Sequence, residues 1–230
     1  MIDPRLTRIF VLPILAVLVL AAFSVGAQPK ALRTFQAPDA YDGATALADV
    51  NHFAAVYPSR PSGGPADEDA ATEIARRFKS DGLEVQTSTT SVRDPDGTRR
   101  EATQVYATRP GPDDGVIVVA AARDSVRAGS RAELTGTATL LQLSALLGQR
   151  RVSHPIELVS VSGTIGQTGY RSLVKRLQND GEPVRAVIVL GTVGTPDLLP
   201  PVVGFSNGPE LASWRLRSTI EAAIRAERPV

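Results

Sequence analysis

Two hydrophobic rhythms alternate along the chain once the first forty residues are passed. In ATALADVNHFAAVYP, Leu47, Val50, Phe53 and Ala54 recur at helical spacing and the run stops at Pro58, which predicts a first helix. RPSGGPADEDAATEIARRFKSDG predicts a second, with Pro65 near its first turn, acidic residues early, basic residues late and Gly82 as terminator. Residues 83–92 then alternate through Leu83, Val85 and Thr87, and the turn Asp94-Pro95-Asp96-Gly97 leads into an extended run ending at 104–108, a hairpin. Residues 116–120 are continuously apolar, as in a strand buried on both faces. A helix follows with Leu134, Ala138, Leu141 and Ala145 on one stripe, closed by Gly148. Further along come a strand at 156–161, a helix at 170–177, strands at 186–190 and 201–205, and a last helix at 211–226. This order predicts an α/β fold: a three-layer sandwich with a mixed, mostly parallel central sheet and an antiparallel edge hairpin, preceded by one N-terminal apolar helix.

That leading helix rests on the uncharged run from Ile9 to Val25, behind Arg5 and Arg8. The run is at the short end of what spans a bilayer and longer than the roughly 7–15 residues of a cleaved signal core. Val25-Gly26-Ala27 offers a cleavage point after Ala27, so both a signal anchor and a signal peptide fit residues 1–27. In either case the remainder is expected outside the cytoplasm, because Arg5 and Arg8 favour a cytoplasmic N-terminus, although Lys30 and Arg33 weaken that asymmetry. Residues 28–43 read as a linker, and 44–230 as one folded domain, either whole or lacking its C-terminal part.

Composition narrows the chemistry. The 25 Lys and Arg against 24 Asp and Glu leave a formal charge of +1, with no electrostatic footprint for a nucleic acid. Zero Cys removes thiol nucleophiles, disulfides and thiolate metal sites, and only 2 His remain. His52 and His154 lie far apart in sequence with no clustered partner, so each reads as a surface or capping residue.

In RPSGGPADEDAATEIARRFKSDGLEV, VYATRPGPDDGVIVVAAARDSV, GTATLLQLSALLG, HPIELVSVSG and AVIVLGTVG, taken in that order, the chain resembles the co-catalytic di-zinc aminopeptidases. These include the bacterial leucyl aminopeptidases, with glutamate carboxypeptidase and transferrin receptor as more distant relatives. The similarity covers about 44–203 and implies a metal site at the strand ends, yet the motif positions depart from the family pattern. The His of the His-x-Asp pair corresponds to Ala122, whereas Asp124 is kept. The bridging Asp falls near Ala132, with Glu133 beside it, and the Glu-Glu pair of base and ligand becomes Gly163-Thr164. The next Asp ligand becomes Gly191. Two zinc ions need imidazoles and carboxylates, and a carboxylate must take the proton of a bridging water. Ala122, Ala132, Gly163, Thr164 and Gly191 offer none.

Asp124 is then expected as a loop hydrogen-bond acceptor, while Arg123, Arg127 and Arg131 could form an anion-binding mouth in place of the cations. Gly204-Phe205-Ser206-Asn207-Gly208 matches a G-x-S-x-G elbow, but both histidines lie upstream and no Asp follows Ser206. The Gly163–Gly169 turn has G-x-x-G-x-x-G spacing and no Lys, favouring a tight connection over a phosphate cradle. Trp214 and Leu216 on the last helix read as packing residues that an incomplete domain would leave as an association surface. The expectation is a membrane-tethered or secreted peptidase-like domain without a metal cofactor, which binds or scaffolds an unknown protein or peptide partner. The alternative is a metal-dependent exopeptidase whose zinc site is unusual or completed from outside this sequence.

Overall fold

The computed structural model describes residues 41–93, 97–125, 127–193 and 213–226. The predicted leader, residues 28–40 of the predicted linker, the strand at 201–205 and the G-x-S-x-G segment lie outside them; the linker's last residues, 42 and 43, already cap and begin the first helix. Helix α1 (Gly43–Val56) starts where the Asp42 carboxylate accepts the Ala44 N–H at 2.9 Å. Its buried stripe is Ala46, Asp49, Val50 and Phe53, and Leu47, expected inside, is 60% exposed. The stripe is rotated because Asp49 is drawn inward: it accepts from Arg77 Nη1 at 2.6 Å and Nη2 at 3.1 Å, and from Gln142 Nε2 at 3.1 Å. One carboxylate thereby ties α1 to α2 (Pro65–Ser80) and α3 (Thr135–Gly148). In α3 Ala138 and Leu141 are buried as read from the sequence, but Ala145 is exposed while Leu140 and Ser144 are buried. Ser144 is accommodated inside because its hydroxyl reaches the Leu141 carbonyl at 2.8 Å and the Asp81 carboxylate.

The sheet has the order β1-β2-β4-β3-β5, from β1 (Glu84–Arg93), β2 (Arg99–Arg109), β3 (Val116–Ala122), β4 (Ile156–Val161) and β5 (Val184–Leu190). The hairpin pair β1–β2 is antiparallel, as predicted, and so is β2–β4; β3 runs parallel to β4 and to β5. Parallel pairing therefore accounts for two of the four strand pairings, not most of them. The reason is that the hairpin docks on β4 through its second strand, adding an antiparallel seam inside the sheet.

Alternation along the strands separates two cores. Val105, Ala107, Val119, Ala121 and Leu158 face α1, α2 and α3, with Phe53, Ile74, Phe78, Leu140 and Leu141 packed on them. Tyr106, Val116, Val118, Ala120, Val159 and Val161 face α4 (Thr168–Asp180) through Leu173, Tyr170 and Leu177. Arg176 fastens α4 further: it pairs with Glu157, reaches Asp180 at 3.1 Å and lies 4.1 Å over the Tyr106 ring.

Residues 36–200 form one compact unit, and helix α5 (Trp214–Ala226) falls outside it. Trp214 on α5 is 67% exposed and Leu216 half-buried. Among the described residues no helix is long and apolar enough to cross a membrane.

Candidate functional site

Because β3, β4 and β5 are parallel, their C-terminal ends meet on one side of the sheet, with Ala122 opposite Val161 and Ala121 opposite Leu190. Ala122, Gly163-Thr164 and Gly191 all follow at these ends, and the Ala122 carbonyl accepts from Thr137 Oγ1 of α3 at 2.8 Å. Ala132 sits in the single 3₁₀ turn Ala132–Leu134 before α3. The fold thus brings to one edge the positions that the resemblance marks, and most of them carry no donor side chain.

Asp124 is the exception and it is 3% exposed. Its Oδ2 accepts from Ser62 Oγ at 2.6 Å, Gly163 N at 3.2 Å and Thr164 N at 3.0 Å, and both of its oxygens lie 2.9 Å from Thr164 Oγ1. The carboxylate is engaged in holding the β4–α4 connection to the loop before α2. The connection is tight in its own right. Gly169 N donates to the Gly163 carbonyl at 2.9 Å, and Gly163 and Gly166 have φ of 87° and 69°. A side chain at Gly163 would also meet Val92 Cγ1 at 2.4 Å, and one at Gly169 the Ser162 carbonyl at 2.0 Å. Gln167 adopts the left-handed conformation at φ 61°. The N–H groups of Gly163 and Thr164 that a phosphate would need are turned to Asp124, which favours the tight-connection reading.

Arg123 does not line an anion mouth. It is fully buried, with Nε 3.0 Å from Asp67 Oδ1, and both side chains are 0% exposed. The Nε–H itself points to the Asp67 carbonyl at 3.2 Å, Nη1 donates to the Ser160 carbonyl at 3.1 Å, and Nη2 donates to the Thr103 carbonyl. Asp67 also accepts from Ser162 Oγ at 2.6 Å and Gly63 N at 2.9 Å. Burial pushes the Asp67 carboxyl up, opposed by the Arg123 charge and the Ser162 hydrogen bond. Arg127 and Arg131 are exposed, so the three arginines do not converge.

A second buried guanidinium, Arg60, was not apparent from the sequence. Its Nε donates to the Arg123 carbonyl at 2.9 Å, Nη2 to the Ser130 carbonyl at 3.3 Å and Nη1 to the Tyr57 carbonyl. Burial lowers its pKa, against the charges of Glu133, Asp67 and Asp124. Ser125 N returns a bond to the Arg60 carbonyl at 2.8 Å, so the segment after β3 is stitched to the one before α2. Glu133 keeps one carboxylate oxygen buried without a hydrogen-bond donor. Among the described residues no group of three or more His, Cys, Asp or Glu converges to hold a metal. His52 binds Glu73 at 3.0 Å on the α1–α2 surface, and His154 lies 3.2 Å from the Asp114 carbonyl, each as the surface reading expects.

An apolar groove of about 460 Å³ runs between α4 and β5, from Thr164 and Gln167 past Tyr170, Leu173 and Val174 to Val187 and Val189. Val187 and Val189 are 44% and 53% exposed on a strand that, among the described residues, pairs on one side only.

No family model matches the chain, and no curated protein matches it. Solved structures do. An Acidobacteriales bacterium glutaminyl cyclase superposes with TM-score 0.61 at 22% identity, over 72% of this chain and 63% of its own. A leucine aminopeptidase precursor from Bacteroides thetaiotaomicron gives 0.57 at 15%, over 68% and 64%. A Zn-dependent exopeptidase from Parabacteroides distasonis gives 0.54 at 20%, over 67% and 62%. The chain spans a little under two thirds of the length of each. With helices on both faces of a mixed sheet, and the marked positions gathered at its parallel strand ends, this chain has the fold of the aminopeptidase-like zinc peptidases.

Proposed function

We propose that this chain is a peptidase-like domain that holds no catalytic zinc, lies outside the cytoplasm behind its N-terminal apolar segment, and works by binding or scaffolding a protein or peptide. The observation that carries the reading is the state of Asp124. It is the one carboxylate left at the motif positions, and it is buried with its oxygens turned to Ser62, Gly163 and Thr164, while the other motif positions bring no imidazole or carboxylate beside it. A zinc ligand needs a free lone pair aimed at a shared point, and general-base work needs a carboxylate within reach of a water. Ala122, Ala132, Gly163, Thr164 and Gly191 supply neither. The burial of Arg123 argues against a solute-binding mouth. The neighbours act as glutaminyl cyclases and exopeptidases, so a peptide is the natural class of ligand to try first.

The test is metal analysis by mass spectrometry of the full chain, purified in detergent, equilibrated with zinc and then dialysed. The expected result is no retained zinc in a folded sample. Two zinc ions per chain would overturn the reading and restore a metal-dependent exopeptidase. Sidedness is read separately, by protease protection of the full chain in membrane vesicles. Domain cleavage on the cytoplasmic side would refute the placement.

A further inference from the structure

Four buried charges lie under the ends of β3 and β4. Arg60, Arg123 and Asp67 are 0% exposed and Asp124 is 3% exposed, two guanidiniums against two carboxylates. Their fields overlap: Arg60 feels Asp67 and Asp124, and Asp67 feels both Arg123 and Asp124. The set is neutral by itself. Arg60 also feels Glu133, a half-buried carboxylate with one oxygen that has no hydrogen-bond donor. Adding two divalent cations here would still leave a large excess of positive charge in a buried region, with that one carboxylate to set against it, which is costly in a low-dielectric interior. The zinc peptidase fold implies the opposite arrangement, in which metal cations offset the carboxylates and join ligands from different elements.

We propose that Arg123 takes over the cross-linking role of a metal cation in this domain, so that its fold is closed by an internal ion pair and does not depend on zinc. The inference rests on the reading of a zinc-free domain and adds what stands in the metal's place. From the end of β3, the guanidinium reaches Asp67 in the first turn of α2, the Thr103 carbonyl in β2 and the Ser160 carbonyl in β4. A single cation thus joins four elements, as a coordinated metal does. Guanidinium suits the place because its planar, five-donor fork satisfies several carbonyls and a carboxylate at once, which an ammonium cannot match.

The experiment follows thermal unfolding of the full chain in detergent, with and without EDTA or added zinc, for the wild type, Arg123→Met, Asp67→Asn and the double variant. The wild-type midpoint is expected to be unmoved by EDTA or zinc. Each single variant is expected to lower it by about 10 °C, since each strands one buried charge. The double variant is expected to lose clearly less than the sum of the singles. Strictly additive losses would overturn the ion-pair role even if no zinc binds, whereas a midpoint that falls with EDTA would overturn metal independence. Should the single variants fail to fold, ¹⁵N–¹H spectra of the wild type still decide: the Arg123 Nε–H is expected to exchange slowly with solvent, and fast exchange would refute its burial. Zinc bound to a sample whose variants still show non-additivity would sink the zinc-free reading and leave the ion pair standing.

Discussion

Replacing Asp124 by Ala separates two roles for the one motif carboxylate that remains. If it were an idle relic, its removal would cost little. Its surroundings predict otherwise: the Ser62 hydroxyl and the Gly163 and Thr164 N–H groups would each lose their acceptor. Ser62 is fully buried and Gly163 is buried, so water cannot easily replace the carboxylate there. At about 1 kcal/mol or somewhat more per stranded donor, with Thr164 discounted for its partial exposure, the loss comes to roughly 3 kcal/mol. For a chain of this size that is a drop in the unfolding midpoint of roughly 6–12 °C. Asp124→Asn keeps one acceptor oxygen and should lose about half as much. The assay is thermal and urea unfolding of both variants, with hydrogen exchange followed at Gly163 and Thr164. A midpoint for Asp124→Ala within about 0.5 kcal/mol of wild type, inside the usual range for an innocuous surface change, would refute the reasoning.

Other perturbations test the fold around this site. Gly169→Ala drives a methyl into the Ser162 carbonyl, 2.0 Å from the ideal Cβ, and should cost at least about 3 kcal/mol or abolish soluble expression; a normal melt would contradict the tight β4–α4 connection. Phe53→Ala is expected to cost about 3–5 kcal/mol and Leu47→Gln under about 0.5 kcal/mol, a contrast set by 1% against 60% exposure and read by urea unfolding. Burial holds the Tyr57 and Tyr170 phenols up to about 12 from an ordinary 10, helped in Tyr57 by Glu73 and in Tyr170 by the charge of Asp124. Because these values are raised in the folded state, the stability they contribute is full below pH 10 and is lost as pH climbs from 10 through 12. Tyr57→Phe and Tyr170→Phe together should flatten that alkaline decline, and an unchanged slope would show that other groups cause it.

Most of the architecture was legible in the sequence because its strands and helices carry strong periodicity. The strand Ile156–Val161 is found at the predicted bounds, and β3 extends its predicted run by two alanines. The misassigned face of α1 has a physical cause. Leu47 was placed inside by side-chain type, whereas the Arg77 and Gln142 partners that draw Asp49 inward in its place are 28 and 93 positions away from Asp49. The same blindness hid the buried charges. Asp67 stands on the stripe of Ala70, Ala71, Ile74 and Phe78, and a carboxylate on an apolar helix face is a readable sign of a buried partner. Nothing local marks Arg123 as that partner or Arg60 as a second buried cation. Their burial comes from the convergence of β2, β3, β4 and the loop before α2.

The geometry of Gly163 bears on whether the proposed departure from zinc chemistry is open to reversal. A carboxylate restored at that position would need a backbone φ of 87°, which side chains rarely tolerate, and its Cβ would overlap Val92. Recovery would therefore require the β4–α4 turn and its hairpin neighbour to change before any new ligand gave a benefit. On the proposed zinc-free reading, the turn then acts as an evolutionary ratchet: single substitutions can go on reshaping the domain, whereas a return to zinc chemistry needs several positions to change together.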